Sequence, residues 1–109
     1  MSDKYILEGH KVVCCNDLMK WAKWFETADR HVANTTLSNG VIVSTVFLGL
    51  DHNFRGKPPI LFETMVFGGD LDEEMERYTT WQDAEKGHKQ WVGHVLEKEG
   101  SAVSVLTST

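Results

Sequence analysis

Apolar residues recur at intervals of three and four along two stretches of the chain, the spacing that places them on one face of an α-helix. The first stretch begins after Asn16 or Asp17, both good N-cap residues, and runs to about Val32. Its apolar stripe consists of Leu18, Trp21, Ala22, Phe25, Ala28 and Val32. Charged and polar residues occupy the other side, so the pattern predicts an amphipathic helix.

The second stretch starts at Thr80, whose spacing to Asp83 resembles a capping box, and it ends at Gly100. Its apolar stripe consists of Trp81, Ala84, His88, Trp91, Val92 and Val95. Gly87 lowers helix propensity by about 1 kcal/mol relative to Ala, but it allows close packing against a sheet. His88 lies on the apolar stripe, which favours a hydrogen-bonded core or boundary histidine over a metal ligand.

The segments around these helices change to a period of two, the alternation that is typical of a β-strand with one buried face. Strands are expected on both sides of Gly9-His10 within residues 5–13, on both sides of Asn39-Gly40, at 60–67 and at 75–78. Asn39-Gly40 predicts a hairpin with a type I′ turn, which needs positive φ at both positions. The expected fold class is α+β: an antiparallel sheet of about four to six strands with the two amphipathic helices packed on one face.

Composition supports one folded unit. Of the 109 residues, 41% are hydrophobic and 10% are aromatic, which excludes wholesale disorder. We assign residues 1–100 to a single domain, and the uncharged tail 101–109 is either mobile or an added strand. No leader sequence and no apolar run of membrane-spanning length occurs, so we expect a cytoplasmic protein without a membrane partner.

Charge narrows the range of partners further. The net charge of −5 argues against a surface for duplex nucleic acid. Five of the 16 acidic residues lie in 70–76, whereas Arg55 and Lys57 make their own segment locally basic. None of the five histidines lies in a metal-ligand pattern, so we expect no metal and no cofactor.

The connection 48–59, about twelve residues, is long for a hairpin loop. Its polar, charged and aromatic side chains are those of Asp51, His52, Asn53, Phe54, Arg55 and Lys57. Because function concentrates on loops held by a rigid scaffold, one hypothesis is a ligand-contacting loop, and the other is a structured surface loop with a polar tip. Trp24 and His31, on the flank of the first helix, either line a groove with this loop or form a stripe half covered by the sheet.

Glu63 is an acidic residue in the middle of an apolar strand. An unpaired carboxylate buried there would cost several kcal/mol, so Glu63 must reach solvent, a ligand or a cation, with Arg30 and Arg55 as candidate partners. The alternation of a strand places Leu61, Met65 and Phe67 on the same face as Glu63. If the helices cover the opposite face of the strand, these three form an exposed apolar patch, which predicts a homodimer or a higher homo-oligomer with its interface there.

The central part of the chain resembles a family of small proteins encoded by tailed bacteriophages and prophages. The matching segments are Ser-Thr-Val-Phe-Leu-Gly-Leu-Asp-His-Asn-Phe at 44–54, Pro58-Pro59, Leu-Phe-Glu-Thr-Met-Val-Phe-Gly-Gly at 61–69, and residues 21–30. The resemblance covers residues 5–98. It implies a phage origin, an accessory role in the infected host cell and no established activity, so no catalytic residue can be assigned from it.

These observations favour a non-enzymatic counter-defence protein that sequesters a small anionic ligand such as a nucleotide signal. In this hypothesis Arg30, Arg55 and Lys57 hold the anion, and Trp24 or Phe54 stacks on it. One alternative is an acidic inhibitor that binds a host protein through residues 70–76. Another is a small acid/base enzyme using Asp51, His52 and Glu63.

Overall fold

The computed structural model describes residues 3–109, which form seven β-strands and two α-helices. In chain order these are β1 (Tyr5–Glu8), β2 (Lys11–Cys14), α1 (Leu18–Thr27), β3 (His31–Leu37), β4 (Ile42–Phe47), β5 (Phe62–Phe67), β6 (Met75–Tyr78), α2 (Trp81–Glu99) and β7 (Val105–Ser108). The α+β class is confirmed. No helix among these residues is long and apolar enough to cross a bilayer.

The main sheet has five antiparallel strands in the order β6-β5-β4-β3-β7, and β1 and β2 form a separate two-stranded sheet. The strand predicted at 75–78 is indeed an edge strand. At the other edge β7 pairs with β3, so the tail is an added strand. Thr109 extends the pairing, since its backbone exchanges hydrogen bonds of 3.0 and 2.9 Å with Asn34.

One face of the main sheet is covered by α2, and the side chains between them form the core. Buried residues alternate with half-exposed ones along β4 and β5, as expected for strands with a single covered face. The core has two clusters. One consists of Leu37, Val41, Val43, Val66 and Val95, and the other of Phe47, Leu61, Phe62, Trp81 and Ala84. Full burial of each large apolar side chain contributes about 1.5–3 kcal/mol to stability.

Helix α1 is shorter than the sequence predicts. Asp17 caps it, with its carboxylate accepting from the Lys20 N–H at 3.1 Å, but the helix ends at Thr27. His31 belongs to β3 and not to the helix, because the backbone from residue 30 onward pairs with β4, beginning with the Phe47 N–H bonded to the Arg30 carbonyl at 2.7 Å. The ladder of β4 therefore overrides the helical periodicity of this segment.

The predicted hairpin at Asn39-Gly40 is present, but the predicted turn type is wrong. Gly40 has φ of 90°, whereas Asn39 is not among the residues with positive φ. The Gly40 N–H donates to the Leu37 carbonyl at 2.9 Å, and the Leu37 N–H donates to Val41 at 2.8 Å. This is a three-residue connection in which a single glycine takes the left-handed position, so asparagine needs no strained geometry.

Helix α2 begins and ends where the sequence predicts. The Thr80 hydroxyl accepts from the Asp83 N–H at 3.1 Å, and the Gly100 N–H donates to the Leu96 carbonyl at 3.1 Å. Gly87 allows the expected close approach to the sheet, since a Cβ there would overlap the ring of Tyr78.

His88 is the buried core histidine that the sequence predicts, and it joins a chain of hydroxyl groups across the sheet. Tyr78 donates to the Thr64 hydroxyl at 3.1 Å, which lies 2.5 Å from the Thr45 hydroxyl. The Thr45 hydroxyl is also hydrogen-bonded to His88 Nδ1, at 2.7 Å. His88 Nε2 is hydrogen-bonded to the Thr35 hydroxyl at 2.8 Å, so both ring nitrogens have partners. Burial lowers the pKa of His88, which keeps the ring neutral in this network.

Candidate functional site

The polar side chains of the long loop 48–59 bond to the loop itself. The Asp51 carboxylate accepts from the N–H groups of Asn53 at 2.7 Å and Ile60 at 2.9 Å. The Asn53 amide donates to the Pro58 carbonyl at 2.8 Å, and His52 Nδ1 donates to the Leu50 carbonyl at 2.8 Å. These bonds hold the loop in shape, which matches the second sequence hypothesis, a structured loop with a polar tip.

The tip of this loop is exposed. Phe54 is 88% exposed, and the cations of Arg55 and Lys57 lie on the surface beside it. A pocket of about 320 Å³ beneath the loop is lined by Asp3, Tyr5, Asp51, Asn53, Gly56, Lys57 and Pro59. The negative charges of Asp3 and Asp51 would repel an anion, so this pocket is a poor site for the small anionic ligand that the sequence predicts.

The other predicted ligand residues point elsewhere. The ring of Trp24 meets Phe47 edge-on at 5.8 Å between centroids. The Arg30 guanidinium lies 4.0 Å from the centroid of the Phe25 ring, and its Nη1 donates to the Phe47 carbonyl at 3.0 Å. Both residues therefore support α1 against the sheet, and neither lines the pocket beneath the loop.

His31 belongs to a separate contact at the start of β3. Its ring Nδ1 lies 3.1 Å from the Asp29 carboxylate, which also accepts from the His31 backbone N–H at 3.0 Å. These two hydrogen bonds hold the pKa of Asp29 below its usual value. Trp24 and His31 thus lie in separate contacts, and neither lines the pocket beneath the loop.

Glu63 pairs with Arg77, and neither Arg30 nor Arg55 is its partner. The two residues are directly opposite in β5 and β6, and Arg77 Nε donates to the carboxylate at 2.9 Å. They lie on the face of the main sheet that α2 leaves uncovered, called the open face below. Its apolar side chains are Ile42, Val46, Met65, Phe67 and Met75. The prediction that Leu61 belongs to this patch is wrong, because Leu61 is fully buried in the core.

A different pocket, which the sequence does not single out, lies at the N-terminus of α2. We call it the helix-start pocket. It has a volume of about 480 Å³ and is lined by His10, Lys11, Val12, Thr79, Thr80, Trp81 and Gln82. The β1–β2 turn supplies one wall, and the first turn of α2 supplies the other. No carboxylate lines it, although the chain as a whole carries a net charge of −5.

The backbone of α2 offers donors to this pocket. The Thr80 hydroxyl takes the Asp83 N–H and the Thr80 carbonyl takes the Ala84 N–H. Within residues 3–109, this leaves the backbone N–H groups of Trp81 and Gln82 without an acceptor, as is usual at the first positions of a helix. These groups and the helix dipole favour a bound anion.

Two of the residues that line the helix-start pocket carry side-chain donors without a partner in the described range of the chain. Lys11 is exposed, and no carboxylate of the described part of the chain lies within 4.0 Å of its ammonium group. Trp81 is only 8% exposed, and its Nε1 is the one buried side-chain nitrogen or oxygen among residues 3–109 that has no hydrogen-bond partner. A buried donor without an acceptor costs about 1–3 kcal/mol.

Sequence reasoning placed the two halves of this pocket in unrelated roles. The sequence assigns His10 to a turn, Lys11 to the strand after it, and Trp81 to the apolar stripe of a helix. The N-cap Thr80 was a usable signal, since it marks where free backbone donors begin. Nothing in the sequence showed that the β1–β2 turn packs beside that N-cap, about 70 residues further along the chain.

No family model, curated protein or solved structure matches the chain. Its candidate site therefore depends on geometry alone. Over the range 3–109, no group of three or more His, Cys, Asp or Glu side chains is arranged to hold a metal ion.

Proposed function

We propose that the protein works by stoichiometric binding of a small phosphate-bearing anion in the helix-start pocket. The observation that carries the proposal is the chemistry of the lining. The pocket combines the Lys11 ammonium group, the free N–H groups of Trp81 and Gln82, and no carboxylate. Phosphate oxygens are acceptors that match each of these donors.

The proposed ligand is a small anion, as the sequence predicts, but the proposed binding site is a different one. The anion would lie between the β1–β2 turn and α2, not between α1 and the loop 48–59. The resemblance to accessory proteins of tailed bacteriophages suggests a setting for such binding. Sequestering a small host signal would make the protein a counter-defence factor.

The acid/base alternative finds less support in the geometry. Asp51 and His52 are bonded to the backbone of their own loop. Glu63 is paired with Arg77 on the open face. None of the three lines the helix-start pocket, so they do not form a catalytic group around a common ligand there.

The acidic-inhibitor alternative depends on the turn between β5 and β6. Part of its charge has a local structural role, because Asp72 accepts from the Gly68 N–H at 2.7 Å. The Asp70 N–H in turn donates to the Glu99 carboxylate at 3.1 Å. This surface is the runner-up, and capture of a host protein that Asp72→Lys together with Glu73→Lys releases would favour it.

The direct test is calorimetry with inorganic phosphate, on wild-type protein and on Lys11→Ala. We expect the substitution to weaken phosphate binding about tenfold, equivalent to about 1.4 kcal/mol. Lys23→Ala is the matched control, because Lys23 is an exposed lysine of α1 outside the pocket. Equal phosphate affinity in all three proteins, or no binding in any, would overturn the proposed function.

We also propose that a second copy of the chain covers the open face. Five apolar side chains lie on this face, and two of them are strongly exposed, Phe67 to 48% and Met75 to 46%. Its Glu63–Arg77 pair cancels in charge, so two copies that meet there bring together no net charge despite the −5 of each chain. A two-fold axis through the face would join identical apolar rows, as in most homodimers.

A further inference from the structure

The helix-start pocket already holds a planar ring that belongs to the chain itself. The imidazole of His10 stacks on the indole of Trp81, with 3.8 Å between ring centroids and 11° between ring planes. Phe62 contacts the same indole edge-on, at 6.2 Å and 89°. The indole is thus fixed by the core on one side and presents a face that accepts a flat heteroaromatic ring.

The residue that supplies this ring is at the tip of a hairpin. The tip residues Glu8, Gly9, His10 and Lys11 are all exposed, whereas Leu7 and Val12 at its base pack against the core. Lifting the His10 ring from Trp81 would therefore leave the anchored base of the hairpin in place. His10 is an occupant that a ligand can replace without unpacking the core.

We infer that the anion bound in the helix-start pocket carries a heteroaromatic ring that replaces His10 on Trp81, which makes the ligand class a nucleoside phosphate. This inference rests on the proposed function. The phosphate lies at the N-terminus of α2 near Lys11, and the base stacks on the indole, as bases stack on aromatic side chains in many nucleotide sites. The pocket volume of about 480 Å³ lies within the range of small-ligand pockets.

A comparison of the two tryptophans of α2 explains why we place the ligand at Trp81 and not at Trp91. Trp91 also lines a pocket, of about 500 Å³, but that pocket contains Glu76 and Glu97. The Trp91 Nε1–H already donates to Glu76 at 2.8 Å. The pocket at Trp91 also contains Lys98, but its two carboxylates would repel a phosphate, whereas the pocket at Trp81 has Lys11 and no carboxylate.

The test measures the affinities of inorganic phosphate, adenosine 5′-monophosphate and adenosine for the full chain by calorimetry. We expect the monophosphate to bind at least tenfold more tightly than inorganic phosphate, and adenosine to bind more weakly than the monophosphate. In His10→Ala the competing ring is gone, so the affinity for the monophosphate rises several-fold while that for inorganic phosphate is unchanged. His94→Ala, which removes a ring from Trp91, is the matched control and should change neither affinity.

The NMR signals of the indole N–H groups give a second readout. The chain has four tryptophans, so four such signals can be compared. The nucleotide should shift the Trp81 signal more than that of Trp91. If phosphate binds but the monophosphate binds no tighter and His10→Ala has no effect, the nucleoside inference is overturned and the anion site stands. If neither phosphate nor the monophosphate binds, the proposed function fails together with the inference.

Discussion

His88 of α2 is hydrogen-bonded through Nδ1 to the Thr45 hydroxyl of β4 at 2.7 Å and through Nε2 to the Thr35 hydroxyl of β3 at 2.8 Å. The ring thus fastens the helix to two neighbouring strands with both of its nitrogens used. Burial between the helix and the sheet disfavours the charged imidazolium and lowers the pKa of His88 from the usual 6.5. The link between helix and sheet therefore depends on pH.

We predict that acid weakens the folded state through His88. The unfolded chain binds a proton at this site near pH 6.5 and the folded chain does so only at lower pH, so stability is full above about 6.5 and falls as pH drops toward the folded pKa. The loss in this window approaches about 1.4 kcal/mol per pH unit. Urea unfolding of wild type and His88→Gln between pH 7 and pH 5 measures it.

His88→Gln removes the titration, so its unfolding free energy should change less over this pH range than that of wild type. An identical pH dependence in both proteins would contradict the prediction. At pH 7 we expect His88→Ala to lose about 2–4 kcal/mol, because it leaves a cavity and two buried hydroxyls without their partner.

Trp81→Phe tests the buried indole N–H. The substitution keeps an aromatic ring in the pocket but removes the donor that lacks a partner, so we expect phosphate to bind about tenfold more weakly than to wild type. Trp91→Phe is the control, since the N–H of Trp91 already donates to Glu76. If the two variants bind phosphate with equal affinity, the indole N–H has no part in the site.

Gly87 and Gly93 are two glycines of α2 with opposite surroundings. A Cβ at Gly87 would overlap the Tyr78 ring, whereas a Cβ at Gly93 would meet nothing within 4 Å. We expect Gly87→Ala to destabilise the fold by about 1–3 kcal/mol. Gly93→Ala should stabilise it by up to about 1 kcal/mol, because alanine has the higher helix propensity. Thermal or urea unfolding of the two variants should thus give shifts of opposite sign.

The proposed dimer predicts a definite response to charge on the open face. Phe67→Lys puts an ammonium group within the apolar patch, opposite Ile42, and a closed interface disfavours this strongly. Light scattering should then show wild type at twice the chain mass of 12.4 kDa and the variant at the chain mass. Met19→Lys, at a 75% exposed position of α1, should leave the dimer intact. A wild-type mass of 12.4 kDa at high concentration would rule out this interface.

Much of the fold could be predicted because its signals are local. Thr80 and Gly100 bound α2 through capping chemistry, and the alternation in 62–67 separates the faces of β5 without reference to any other strand. The end of α1 could not be predicted in the same way. The helical spacing of its apolar residues continues to Val32, but from Arg30 onward the backbone is hydrogen-bonded to β4.

For the candidate site, too, some features follow from local sequence and others depend on tertiary packing. The sequence alone determined which residue types could hold an anion, and it determined that α2 begins with free backbone donors after Thr80. Only the tertiary structure decided which cations meet those donors. Arg30 contacts the Phe25 ring and donates to the Phe47 carbonyl, and Glu63 forms an ion pair with Arg77. Lys11 lies beside Trp81 because the β1–β2 hairpin packs there. Capping and periodicity are properties of neighbouring residues, whereas the meeting of a turn with a helix start depends on how the whole core packs.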